Sequence, residues 1–256
     1  MSHPSFDISG RVALVTGSSR GIGRALAEGL VQAGVRVILN GRDADALERA
    51  RADLAAHPGA TVLAVPFDVT DSASVAAGVA RAEELAGPID ILVNNAGLQR
   101  RAPFTEFTDE DWNALLATNV TSAFLVGRAV SGGMVARGHG RIVNVCSLQS
   151  EVARPGIAAY AATKGAVKML TKGMCADLAG HGINVNGIGP GYFATELTQA
   201  LVDDAEFSAW VRRRTPAGRW GQLSDLVGPL LFLCSPAADF VNGQILYVDG
   251  GMLSVL

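Results

Sequence analysis

The chain has 256 residues, 49% of them apolar and 18% charged, with a formal net charge of -3. It is long enough for one large α/β domain or two small ones, and its composition excludes a disordered chain or a basic nucleic-acid binder. No apolar run reads as long enough to span a bilayer, so no membrane partner is expected.

The N-terminus, "MSHPSFDISG", lacks the basic and apolar regions of a signal peptide. Cys146, Cys175 and Cys234 have no CxxC spacing and suit reduced thiols in a cytoplasmic protein. The four histidines are scattered, so no metal site is expected.

The first β-rich apolar run, "RVALVTG" from Arg11, leads into "TGSSRGIG", Thr16 to Gly23. A helix follows, "GRALAEGLVQAG", with a stop signal at Gly34. A glycine-rich turn between a first strand and a helix suits a dinucleotide. Gly17 permits the tight turn, Gly21 and Gly23 let backbone approach a pyrophosphate, and the helix N-terminus faces the phosphates. Ser19, Arg20 and Ile22 lie in the same loop.

The second run, "VRVILN" from Val35, ends at Asn40, Gly41 and Arg42. An acidic side chain there would bind a ribose 2′-hydroxyl and repel a 2′-phosphate. Asn40 stands in its place, and two guanidinium groups, Arg20 and Arg42, suit a phosphate. NADP is therefore expected rather than NAD. Asp43 is the rival ribose carboxylate, but it also suits the cap of the next helix, "DADALERARADLAAH", and is read as that cap.

The third run, "TVLAVPFDV" from Thr61, ends on Asp68 and Val69. Thr70 or Asp71 then caps "TDSASVAAGVARAEEL". The fourth, "DILVNNAG" from Asp90, is followed by the helical pattern "TDEDWNALLATNVTSAFLVGRAV", with a capping pair Thr108 and Asp111. The fifth, "GRIVNVCS" from Gly140, ends at Ser147. Beyond it, "AAYAATKGAV" places Tyr160 and Lys164 about one turn apart on one helix face. The sixth and seventh runs are "INVNGIGPG" from Ile183 and "QILYVDGG" from Gln244.

Between these last two, residues 192–222 stretch the spacing with the charge-rich "WVRRRTPAGRWG". They read as an insertion over the carboxyl edge of the sheet, where substrate would be covered. Strand and helix alternate without a linker or repeat. The chain therefore reads as a single-domain, doubly wound Rossmann-type α/β fold over residues 1–256, with a mostly parallel, seven-stranded sheet flanked by helices.

TGxxxGxG near the start, "NNAG" at Asn94 to Gly97, Ser147, and Tyr-x-x-x-Lys at Tyr160 and Lys164 together resemble the short-chain dehydrogenases/reductases, from about Ile8 to Gly251. A phenol ordinarily ionises near pH 10, and a cation a few Å away favours phenolate, so the Tyr160–Lys164 pairing suits proton transfer. The resemblance implies that Tyr160 exchanges the proton with a substrate hydroxyl. It implies that Ser147 stabilises the same oxygen, that Lys164 also holds the nicotinamide ribose, and that Asn119 helps to hold a water. It further implies cofactor contacts from Asp68 and Val69 at the adenine, from Asn95, Ala96 and Gly97, and from Pro190, Gly191 and Thr195 at the nicotinamide carboxamide. A homo-oligomer, usually a tetramer, is implied in the same way.

Two loops should flank the reacting carbon. The first, "LQRRAPF", offers Gln99, Arg100 and Arg101; the second, "LQSEVARPG", offers Gln149, Glu151 and Arg154. Arginine can fork a carboxylate, and Gln and Glu can bind hydroxyls, so a polyhydroxy acid fits. "VILNGRD", "NNAGLQRRAPF", "CSLQSEVARPGIAAYAATKGAVK", "GPGYFATELT" and "RTPAGRWGQ" resemble, within the family, the members that interconvert D-gluconate and 5-dehydro-D-gluconate. The alternatives are 2-dehydro-3-deoxy-gluconate and a 3-oxoacyl-carrier substrate.

Overall fold

In the computed structural model, which describes residues 3–255, the apolar runs become seven strands. These are β1 (Val12–Val15), β2 (Arg36–Leu39), β3 (Val62–Ala64), β4 (Ile91–Asn94), β5 (Gly140–Val145), β6 (Ile183–Pro190) and β7 (Ile245–Val248). They form one sheet in the order β3-β2-β1-β4-β5-β6-β7. Every neighbouring pair is parallel.

Near-continuous apolar strands suit a sheet covered on both faces, and the period of two divides them cleanly. Ala13, Val15, Val37, Leu39, Ile91, Val93, Val143 and Val145 face one core, with Leu26 and Leu30 of helix α1 (Gly21–Gln32), Leu47 of α2 (Ala44–Ala55) and Leu230 of α9 (Val227–Cys234). Val12, Leu14, Ile38, Leu92 and Ile142 face the other, with Val75 and Val79 of α3 (Ser72–Ala86). Many of these side chains are fully buried, Leu14 and Leu92 among them. Truncating one such leucine to alanine costs about 2–5 kcal/mol.

Caps set several helix starts. Asp43 accepts from Ala46 N at 3.0 Å, Asp71 from Ser74 N at 2.6 Å and Thr108 from Asp111 N at 3.1 Å. Gly34, with φ +78°, follows the end of α1 in the left-handed conformation.

The long helical pattern is a single run, α4 (Asp109–Leu115), a π segment (Leu116–Thr121) and α5 (Ser122–Arg137). By length and apolar content this run would pass for a membrane span, which corrects the expectation that no segment does. Its buried side chains Leu125, Val126, Val130 and Met134 instead pack in the core shared with Leu92 and Ile142.

Helices α6 (Ala158–Leu178), α7 (Gln199–Val202) and α8 (Ala205–Arg214) complete the set. The strand order reverses between β1 and β4. Their carboxyl ends therefore diverge into a crevice, the place where open α/β sheets bind ligands.

Candidate active site

A cleft of about 930 Å³ opens over those carboxyl ends. Its wall includes every residue expected to hold cofactor, together with Ser147, Tyr160, Arg101, Gln149 and Arg154. A smaller hollow of about 350 Å³, lined by Phe67, Arg81 and Leu85 among others, lies apart from this chemistry.

The floor of the cleft is the glycine loop. Gly17 and Gly21 have φ of +62° and +58°, where a side chain would be strained. A Cβ at Gly23 would stand 2.3 Å from Asn95 Nδ2 and 2.4 Å from the Gly17 carbonyl oxygen. The loop is riveted to the end of β4: Asn95 Nδ2 donates to the carbonyls of Thr16 and Gly17 at 2.9 and 3.0 Å. Thr16 Oγ1 accepts from the backbone of Asn95 and Ala96, both at 3.0 Å. The Asn95 amide thus fixes the glycine loop as a cradle, and its small residues leave the backbone open, an arrangement that can take a pyrophosphate.

Asn40 is almost fully buried, and its Nδ2 donates to the carbonyls of Val65 and Phe67 at 3.3 and 3.1 Å. It shapes the end of β2, while its Oδ1 has no partner. Arg20 and Arg42 line the same cleft. Asp68 turns one oxygen onto Thr70, accepting from its N at 2.8 Å and its hydroxyl at 2.7 Å. Those bonds, aided by the charge of Arg42, hold its carboxyl below the usual range. Thr195 caps the turn Glu196–Thr198 through its hydroxyl, 3.0 Å from Thr198 Oγ1.

The part of the cleft lined by Ser147, Tyr160 and Lys164 lies between β5 and α6. The stretch from Ala158 is alanine-rich and helix-favouring, and it holds Tyr160 and Lys164 on one face. Lys164 is buried; its Nζ donates to the Val145 carbonyl at 2.7 Å and lies 5.8 Å from the Tyr160 ring centre. Ser147 Oγ donates to Gln149 Oε1 at 2.5 Å and accepts from Gln149 N at 3.2 Å. Burial pushes the neighbouring Cys146 thiol up to about 11, so it stays a protonated thiol and is no competing nucleophile.

Asn119 lies in the π segment and does not line the cleft. Its amide pairs with the Leu98 backbone, accepting at 2.8 Å and donating at 3.0 Å, and also donates to Thr163 Oγ1 at 3.0 Å. It therefore ties the loop after β4 to α6.

Burial and the like charge of Arg154 hold the Arg101 guanidinium below its ordinary range. Arg101 donates to Gln99 at 2.8 Å, and Arg154 stacks over Phe207 at 5.3 Å. Glu151, expected to face substrate, turns away instead to Lys168 and Tyr247. The local sequence does not encode that direction, because both partners come from other elements.

Tyr192 is a wall residue the sequence reading missed. Its ring meets Phe207, Trp210 and Trp220 edge-on at 5.6, 5.7 and 5.8 Å. The aromatic spacing in residues 192–222 was the available signal.

Residues 11–206 match the family model described as short chain dehydrogenase. Gluconate 5-dehydrogenase of Gluconobacter oxydans (strain 621H) is 58% identical over 98% of both chains. The 5-keto-D-gluconate 5-reductase of Escherichia coli (strain K12) is 52% identical over 97% of both. A crystal structure of a gluconate 5-dehydrogenase from Burkholderia cenocepacia J2315, in complex with NADP and tartrate, superposes with a TM-score of 0.93 at 54% identity, covering 99% of each chain. Sheet order, glycine cradle and the Ser147, Tyr160 and Lys164 cluster agree with that similarity, and the chain belongs to the short-chain dehydrogenase family.

Proposed function

We propose that this enzyme interconverts D-gluconate and 5-dehydro-D-gluconate with NADP as the hydride carrier. The observation that carries the reading is one cleft lined together by Ser147, Tyr160 and Lys164, by the arginines Arg101 and Arg154, and by the glycine loop with Arg20 and Arg42. Relatives named for gluconate and 5-keto-D-gluconate, and a neighbour solved with NADP and tartrate, support it.

Bound NADP supplies the hydride acceptor or donor. In this reading the glycine loop, Ser19 and Ile22 hold the pyrophosphate side, and Arg20 and Arg42 take the 2′-phosphate. Asp68 and Val69 would hold the adenine, with Asn40 shaping that side, and Asn95, Ala96, Gly97, Pro190, Gly191 and Thr195 would hold the nicotinamide.

In the oxidative direction Tyr160 Oη takes the proton of the C5 hydroxyl as that carbon loses its hydride; reduction reverses both transfers. Lys164 has three donors, one of them spent on Val145, and its charge favours negative charge developing on the Tyr160 oxygen. Ser147 must exchange its bond to Gln149 for one to the reacting oxygen, which frees the Gln149 amide to meet a neighbouring hydroxyl. Asn119 acts by fixing Leu98, a residue of the cleft wall. Arg101 and Arg154 take the carboxylate. A single domain, assembly as a homotetramer and a cytoplasmic place belong to the same reading.

The test is a panel of sugar acids, polyols and ketones with NADP and with NAD, run on the wild type and Tyr160→Phe. The expected result is the highest kcat/KM for gluconate or 5-dehydro-gluconate with NADP, lost in Tyr160→Phe while cofactor still binds. A preference for 2-dehydro-3-deoxy-gluconate, an acyl-carrier ketone or NAD would overturn it.

A further inference from the structure

Ser147 begins a single short turn, Leu148–Ser150, and contacts from outside the turn hold it. Ser150 Oγ donates to the Lys164 carbonyl at 2.9 Å. Glu151 accepts from Lys168 Nζ at 2.5 Å and from the Tyr247 hydroxyl at 2.6 Å. Lys168 stands one turn beyond Lys164 on α6, whereas Tyr247 comes from the edge strand β7.

Tyr247 reaches the turn because β6 carries glycine where its ring crosses. Gly189 is paired with Tyr247 in the sheet, and a Cβ there would stand 2.3 Å from ring atom Cδ1. Gly187 is equally crowded, with a Cβ there 2.6 Å from Ile245 Cδ1 and 3.0 Å from Cys146 Sγ. Glycine weakens a strand, so two in one buried strand need a packing reason, and the crossing ring supplies one for Gly189.

Burial and Glu151 hold the Tyr247 phenol above its usual range. Hydrogen bonds from Lys168 and Tyr247 hold the Glu151 carboxyl below its usual range. The pair therefore remains a neutral donor on a charged acceptor. The Lys168 ion pair is partly open to water, with side-chain exposures of 23% and 35%, and such pairs contribute little. The phenol–carboxylate bond is the second tether, and it ties the turn to the edge strand rather than to α6. Neither Glu151 nor Tyr247 lines the cleft.

We propose that Glu151 and Tyr247 are positioning residues, locking the Ser147 turn against β6 and β7 so that an edge-strand tyrosine governs a reaction it does not touch. The inference rests on Ser147 acting at the reacting oxygen. Misplacing a reacting group by about 1 Å costs on the order of a hundredfold in rate.

The experiment measures Tyr247→Phe alone and in a Ser147→Ala background, with NADP and the best panel substrate. Tyr247→Phe is expected to lower kcat about ten- to a hundredfold. It should leave the KM for NADP and the Tm near wild type and raise the primary deuterium isotope effect. Ser147→Ala should be slow by itself, and adding Tyr247→Phe should slow it no further, because residues acting through one another are not additive. Glu151→Gln keeps an acceptor for the phenol and should outperform Glu151→Ala. Wild-type kcat in Tyr247→Phe, additive losses in the double variant, or Glu151→Gln as slow as Glu151→Ala would each overturn the pair. Full activity in Ser147→Ala would overturn the proposed chemistry first and the pair with it.

Discussion

Replacing Arg101 with Gln should lower kcat/KM for gluconate about ten- to a hundredfold while leaving NADP affinity unchanged. The magnitude follows from the site. Arg101 donates to the neutral side chain of Gln99, and among the described residues it forms no ion pair with an acid. Burial and the like charge of Arg154 both oppose its protonated form, which an incoming carboxylate would relieve. A hydrogen bond to a charged group is worth roughly 1.5–3 kcal/mol. Each 1.36 kcal/mol is a factor of ten in rate, which gives the stated range. Arg154 remains in the variant, so only one arm of the clamp is lost.

The assay is the ratio of kcat/KM for gluconate to that for an uncharged polyol presenting the same hydroxyl, measured in Arg101→Gln and Arg154→Gln. The polyol has no carboxylate to lose and should be affected far less. If neither substitution changes the ratio, the arginines do not read the acid group, and the carboxylate assignment is wrong.

Arg42→Ala should weaken NADP roughly ten- to a hundredfold, the loss of a charge-assisted bond to phosphate, and barely change NAD; titration of both cofactors checks it, and equal losses would return the ribose to Asp43. Gly23→Ala should lower the Tm and weaken cofactor binding together, because overpacking against Asn95 and the Gly17 carbonyl costs about 1–3 kcal/mol; an unchanged melt with unchanged binding would show that the cradle yields freely. Burial and Arg11 hold the His139 imidazole below 6.5 in the folded chain, against the opposing pull of Asp90. The unfolded chain then binds more protons as pH drops below about 6.5, so stability should fall there, and thermal melts from pH 7 to 5 should show a shallower fall in His139→Gln.

Much of this architecture was legible because strand signals are local. Runs such as "VALV" and "RVIL" carry their own burial pattern, and the Asp43, Asp71 and Thr108 caps are read within four residues. That Tyr160 and Lys164 share a face was legible for the same reason, whereas their expected chemistry rested on resemblance to the family. The π segment at Asn119 was not. The pattern from Thr108 was read as one uninterrupted helix, and only the structure shows the π segment and the Asn119 amide paired with Leu98. Glu151 was misjudged because its partners lie 17 and 96 residues away. A buried ladder was also missed, in which Asn94 donates to Asn144 and Asn144 to Thr171, each at 2.9 Å; only the assembled β4, β5 and α6 place those three together.

Two bonds of opposite direction tie the proposed catalytic groups to one another. Lys164 Nζ donates to Val145, two residues before Ser147, and Ser150 donates back to the Lys164 carbonyl. The end of β5, the Ser147 turn and the first turns of α6 are therefore joined at one residue by its side chain and its backbone. Lys164→Ala would remove a cation beside Tyr160, and it would also leave the buried Val145 carbonyl without its donor, costing about 1–3 kcal/mol. Lys164→Arg keeps the charge, but its planar fork cannot reproduce a compact ammonium at 2.7 Å from that carbonyl. The lysine is thus demanded by shape as well as charge. An enzyme carrying arginine there should lose rate even where the positive charge is retained, and recovery of full kcat in Lys164→Arg would mean that charge alone is what Tyr160 requires.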